Sequence, residues 1–547
     1  MIHRIVTLLA VALASLGATS PLPPLTAAEQ VAANSVRAHV EFLADDRLEG
    51  RDTGSRGHEI AARYVASRFR EMGLEPGGAN GSWFIDVPLR RAATAPNVPV
   101  ASLHTAGGGI QPLRWGTDFT VRPSLTEAHR TLASAPLVFV GYGLDEPSLG
   151  LNDYRRLDVR GAIVVALPGS PRGMPTEIAA HLGSTRAEAA ARHGAIGLVI
   201  LSGDGRARSD LGGGMRPATN WVDGAGRTGD SAGLRARLTL SPEWEARLFI
   251  GTPQSLQTVR AIARAGKPPA GFVLPGRITL TADSTWTDFT SPEVIARLPG
   301  SDPARQADHV VLMAHLDHLG VKQNAKSGED SIYNGALDNA AGVATMLEAA
   351  REFVASGKPP ARSLLFIANT GEEKGLLGAD YLAVHPPAPA ASIVSVVDLD
   401  MPLPLYDFTD VTAFGADHST VARTVAEAGA SMGIKVSPDP MPQELIFVRS
   451  DHYSFVRQGV PAILLMTGYA NGGEAVWKHF MANIYHSPAD DLSQPISWRA
   501  LAKYSILNYR IARALADAPD RPRWFTGDYF GNRFAPSAAK AVATPQP

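Results

Sequence analysis

Apolar residues in the second half of this chain fall in short unbroken runs. They occur at 310–314, 364–368, 393–397 and 462–466, and such runs suit strands buried on both faces. Between the first two runs, Val343, Met346, Leu347 and Ala350 recur at helical spacing, which predicts a helix over 342–354. Strand, loop and helix repeated from about residue 291 argue for an α/β fold with a mixed, largely parallel central sheet flanked by helices. The first third reads differently. Residues 29–74 carry helical periodicity, with Ala61, Val65, Phe69 and Met72 on one face and a stop at Gly73. A charged, turn-rich stretch, 48–55, reads as the connecting loop between two helices. From about 115 to 285 short apolar strands at 137–140, 162–167 and 196–201 are broken by Gly and Pro, with one helix at 187–193. The glycine-rich stretch 203–233 reads as surface loops.

This texture divides the chain into an α/β unit split between 29–114 and 286–520, a β-rich insert at 115–285, and a loosely attached tail, 521–547, rich in Pro, Ala and Arg. Length agrees, since 547 residues at 45% apolar exceed what one core holds. The 51 basic and 53 acidic side chains nearly cancel, and no basic stripe with interleaved aromatics runs along the chain. Nucleic acid is therefore not an expected partner.

His3 and Arg4 precede an apolar stretch, 5–16, followed by small residues up to Ala28. This predicts a secretory signal over 1–28, cut after Ala28 or nearer Ala18. The stretch is too short to span a bilayer, and no integral membrane segment is expected after its removal. The chain has no cysteine, so an exported protein of this size is held by packing and metal rather than disulfides. A bacterial periplasmic or secreted location follows as the expectation.

Metal-binding residue types recur at the ends of the apolar runs. His315 follows the first, with Asp317 two residues on, placed to orient its imidazole. Asp338 precedes a helix start, where the helix dipole favours a carboxylate. Glu372 and Glu373 follow the second run, Asp400 the third, and His486 opens His486-Ser487-Pro488-Ala489-Asp490, whose aspartate can brace the ligand. A glutamate pair alone is usually a solvated loop edge, and a lone histidine is usually structural. Two imidazoles and three carboxylates beyond the strand ends of one sheet instead suit two metal ions sharing a carboxylate. Adjacent glutamates also resist ionising together unless cations are near.

The set resembles the zinc-dependent M28 aminopeptidases. The resemblance lies in 314–320 (Ala-His-Leu-Asp-His-Leu-Gly), 337–342, 370–376 (Thr-Gly-Glu-Glu-Lys-Gly-Leu), 398–401 and 485–490, with Ser450-Asp451-His452 and Gly459-Val460-Pro461. It implies two Zn2+ ions, one held by His315 and Asp400, the other by Glu373 and His486, with Asp338 bridging. It also implies Glu372 as general base and acid, Asp317 one layer behind the metal ligands, and Tyr485 as a phenol facing the tetrahedral intermediate. His318 and His452 receive no role. The implied activity is removal of N-terminal residues from peptides with a free N-terminus. By Gly141-Tyr142-Gly143 and by Asp153-Tyr154 leading into 157–164, the insert resembles a protease-associated domain. The alternatives are a related amidohydrolase or one-zinc glutaminyl cyclase on the same fold, or a non-catalytic binding protein. Oligomeric state is not readable from the sequence.

Overall fold

A computed structural model describes residues 24–203, 211, 215–230 and 233–543. The expected signal segment lies outside these residues up to position 23. Helix α1 (Ala27–Leu43) begins at Thr26, whose hydroxyl accepts from the Glu29 amide while the Glu29 carboxylate accepts from the Thr26 amide. This reciprocal cap satisfies two of the free amides at the helix start. Helix α2 (Arg56–Glu71) buries Ala61, Val65 and Phe69, the face its spacing predicts.

The four apolar runs form β3 (His309–His315), β4 (Ser363–Asn369), β5 (Ile393–Asp398) and β6 (Ala462–Thr467), all buried from end to end. They pair in parallel in the spatial order β4, β3, β5, β6. Antiparallel strands edge this core, Asp410–Phe414 beside β6 and the end of β2 (Phe272–Leu298) beside β4. Helix α4 (Ala341–Ala355) connects β3 to β4 and packs against α1 and α5 (Trp498–Asp517). Because β4 lies on one side of β3 and β5 on the other, the chain reverses direction across the sheet at β3. A crevice opens beyond the carboxyl ends of the strands at such a point.

The insert has its own core, centred on Phe119, Leu137, Phe139, Val165 and Leu280. Its border differs from the expected one. Val100–His104 and Ile110–Leu113 pair with each other, and the first of them pairs with the opening half of β2, so the insert begins near residue 95. The closing half of β2 pairs with β1 (Phe84–Thr94) and then with β4, so one strand of 27 residues serves both sheets. Helices also contribute, among them α3 (Thr176–Ser184). Within the stretch read as surface loops, Ala218–Trp221 is a strand paired with β1.

The segment after residue 520 is not a loose tail over its described part. Trp524 and Phe530 are buried in the core that holds β6, and α6 (Tyr529–Phe534) carries the second of them. Aromatic area explains the difference: a Pro- and Arg-rich stretch can still dock when it places large rings in apolar hollows.

Candidate metal centre

Each predicted ligand lies at the crevice beyond β3. His315 is the last residue of β3, the glutamate pair follows β4, and Asp400 follows β5. Asp338 sits in the turn before α4, where the Asp338–Asn339 peptide is cis. His486 reaches in from the segment between Gly473–Asn483 and α5, with a positive φ of 54°.

The side chains form two halves around Asp338. Nε2 of His315 is 3.2 Å from Oδ1 of Asp338 and 3.2 Å from Oδ1 of Asp400. Nε2 of His486 is 3.2 Å from Oδ2 of Asp338 and 3.2 Å from Oε2 of Glu373. Thus each oxygen of Asp338 faces a different imidazole, and each imidazole faces a different second carboxylate. These four separations sit at the outer end of the hydrogen-bond range, longer than is usual between an imidazolium and a carboxylate. They do match the edge of a zinc coordination tetrahedron, about 3.3 Å for ligands about 2.0 Å from the ion. The donor atoms of His315, Asp338 and Glu373 all lie within 4.8 Å of one another.

Electrostatics point the same way. Desolvation pushes the Glu372 carboxyl well above its ordinary range, with His315 opposing and Glu373 adding to the rise. Burial raises Asp400 as well, against the pull of His315. Burial works to lower His315, but Asp400 and Asp338 overcome it and hold the imidazole up. Carboxyls outnumbering imidazoles in a dry crevice fit a centre completed by cations.

Neighbouring groups fix the ligands. Asp490 accepts the amides of Leu337 and Asp338 at 2.8 and 2.9 Å. The Ser450 hydroxyl stands 2.9 Å from Oδ2 of Asp400 and 2.8 Å from Oδ2 of Asp398 and shares its one proton between them; of the two aspartates ending that run Asp400 faces the centre and Asp398 lies behind it. His452 bonds Asp398 and stays away from the ligands. Asp317 supports the centre differently from expectation. Nδ1 of His315 meets the backbone oxygen of Asp317 at 3.0 Å. The Asp317 carboxylate instead accepts from the Glu372 amide at 3.2 Å and from Thr53 at 2.7 Å. Past β3 the chain turns, so the carbonyl meets the ring and the carboxylate braces the glutamate loop.

The loop 48–55 is part of this scaffold. Arg51 is fully buried and donates to the carbonyls of Leu43, Leu316, Asn334 and Gly335, tying α1 to the segments that carry His315 and Asp338. Composition concealed this, and only the presence of Arg and Thr among the turn residues hinted at it. Tyr485 stacks on His486 with ring centroids 3.8 Å apart and lines a pocket with Glu372, Met401, Met466, Trp477 and Met481. Burial, then the surrounding carboxylates, push its phenol far up.

Residues 293–511 match the profile of peptidase family M28. Among named relatives, leupeptin-inactivating enzyme 1 of Streptomyces exfoliatus is 30% identical over 221 residues, 38% of this chain and 44% of that protein. The alkaline phosphatase isozyme conversion protein of Escherichia coli strain K12 is 34% identical over 101 residues, 18% of this chain and 28% of that one. The matches span less than half the length of these relatives. A solved aminopeptidase from Aneurinibacillus sp. strain AM-1 is similar over 89% of this chain and 95% of its own, at 22% identity and a TM-score of 0.48.

Proposed function

Because residues 293–511 match the profile of peptidase family M28, we propose that the chain is an exported di-zinc aminopeptidase of that family, acting on peptides with a free N-terminus. One observation carries the two-metal reading: the oxygens of Asp338 are divided between His315 and His486 at 3.2 Å each. His315 and Asp400 would hold one ion, His486 and Glu373 the other, and Asp338 both. When bound, the ions supply Lewis acidity and lower the pKa of water in the crevice.

The protein's own groups carry the remaining work. Glu372 takes the proton from the attacking water and returns it to the departing amine nitrogen as the peptide bond breaks. Asp317, through the Glu372 amide, holds that carboxylate in place. Tyr485 donates to the oxyanion that develops on the former carbonyl. Met401, Met466, Trp477 and Met481 offer apolar wall to the side chain of the N-terminal residue.

We assign the insert as a protease-associated domain. Its α3 packs on the turns 442–444 and 446–448, which contribute Glu444 and Ile446 to the substrate pocket, so the insert shapes that wall. Export rests on the sequence of 1–28. A cut near Ala18 retains the Thr26 cap of α1, which a cut after Ala28 removes. The activity is tested with an aminoacyl p-nitroanilide and its N-acetylated form: release from the first and none from the second is expected, and equal release from both overturns the exopeptidase reading.

A further inference from the structure

His318 lies one turn of chain beyond His315 and is completely buried. Its Nδ1 is 2.7 Å from Oε1 of Glu373. A carboxylate only accepts, so the imidazole donates. This contact differs in kind from the four at the metal centre. It is a short, charge-assisted hydrogen bond, whereas the ligand pairs stand 3.2 Å apart. Nδ1 of His318 is also 4.0 Å from the nearer oxygen of Asp338, too far to bond it.

The two oxygens of Glu373 are therefore divided, Oε1 to His318 and Oε2 toward His486. The other side of the centre repeats the plan, with Oδ2 of Asp400 bonded by Ser450 and Oδ1 toward His315. Room for the ring is built into the backbone. Gly335 has φ +58°, and a Cβ there would fall 2.7 Å from Cγ and Cδ2 of His318. The His318 amide is tied to the Arg51 carbonyl at 3.2 Å, which fixes the ring's approach.

We infer that His318 is a positioning residue that pins one oxygen of Glu373 and leaves the other alone to bind the ion shared with His486. The inference rests on the two-metal reading above. Glu373 then binds through one oxygen only, which keeps an additional coordination position open at that ion for substrate. Removing the pin lets the carboxylate rotate and weakens that ion while sparing the one held by His315 and Asp400.

The test uses the full chain, stripped and reloaded with zinc in competition with a chelator, and with Co2+ as a spectroscopic probe. His318→Ala is expected to bind the first ion as the unaltered protein does and the second at least about tenfold more weakly, with a changed visible Co2+ spectrum. His318→Asn, whose amide can donate from the place of Nδ1, is expected to restore affinity and spectrum to near normal. Unchanged second-ion affinity and spectrum in His318→Ala, or equal weakening in both variants, overturns the inference. Should circular dichroism find His318→Ala unfolded, the asparagine variant decides alone, a tenfold loss overturning the inference and near-normal binding supporting it. If the unaltered chain takes up one ion, the two-metal reading fails, and this inference with it.

Discussion

Asp490 accepts the backbone amides of Leu337 and Asp338, at 2.8 and 2.9 Å, so a residue four positions beyond one ligand holds the backbone of another. The bridge between the two halves of the centre is set by this clasp, since the turn at 336–340 has irregular backbone and no side-chain cap of its own. Asp490→Ala leaves two buried amides unpaired, at about 1–3 kcal/mol each, and is expected to lower stability by roughly 2–6 kcal/mol in denaturant unfolding. Zinc affinity should fall about 10- to 100-fold in the same variant. Normal zinc affinity in a stable Asp490→Ala protein would contradict the clasp.

The junction between insert and peptidase unit responds to pH in two directions. His418 stands between Asp528 at 2.6 Å and Glu177 of α3 at 3.2 Å. Burial works to lower its pKa, but the bonds to Asp528 and Glu177 prevail and raise it to about 9. This contribution is complete below the unfolded value near 6.5 and is lost as pH rises through about 9, amounting to about 3 kcal/mol at most. His181 of α3 behaves oppositely: burial, then Arg457 and Arg533, lower it to about 4. Its neutral form bonds the Tyr453 hydroxyl at 2.6 Å, and stability declines as pH falls from near 6.5 toward 4. In thermal unfolding, the protein should exceed His418→Gln in midpoint at pH 6.5 and lose that advantage by about pH 10. A gap constant over this range would contradict the assignment.

The C-terminal segment works as a strap. Trp524 bonds the Gly459 carbonyl at 2.8 Å, and Tyr529 bonds Glu146 of the insert at 3.1 Å. Phe530 is fully buried among Phe447, Tyr453 and His418. Phe530→Ala is expected to cost about 3–5 kcal/mol in urea unfolding. A cost within about 0.5 kcal/mol would mean the segment is a loose tail after all.

The parallel core was legible because β3 to β6 are buried on both faces and so read as continuous apolar runs, and because ligands follow directly where those runs stop. Asp490 was legible as a bracing carboxylate from its spacing to His486, but the group it braces is the Leu337–Asp338 backbone, which that spacing does not reveal. Arg51, Thr53 and His318 were not, since apart from Leu43 their partners lie 55 to 284 residues away and no local period marks them. The first border of the insert was placed too late because Val100–His104 and Ile110–Leu113 are short strands whose local pattern does not mark which sheet they join. Trp524 and Phe530 were masked by the Pro- and Arg-rich composition around them. In each case tertiary contact, not local pattern, determines the outcome.

Glu372 and Asp338 separate the base from the ligands. Glu372→Gln should retain both ions and lose about 10²- to 10⁴-fold in kcat, whereas Asp338→Ala should fail to hold them. Equal metal loss in the two variants would reverse these roles.

The proposed centre joins two zinc ions through Asp338. Its most direct test is zinc titration of the metal-free full chain, followed by both metal content and aminoacyl p-nitroanilide hydrolysis. Uptake of two ions per chain is expected, with full activity reached as the second binds and abolished by chelator. Saturation at one ion, or hydrolysis that survives complete removal of metal, would contradict it.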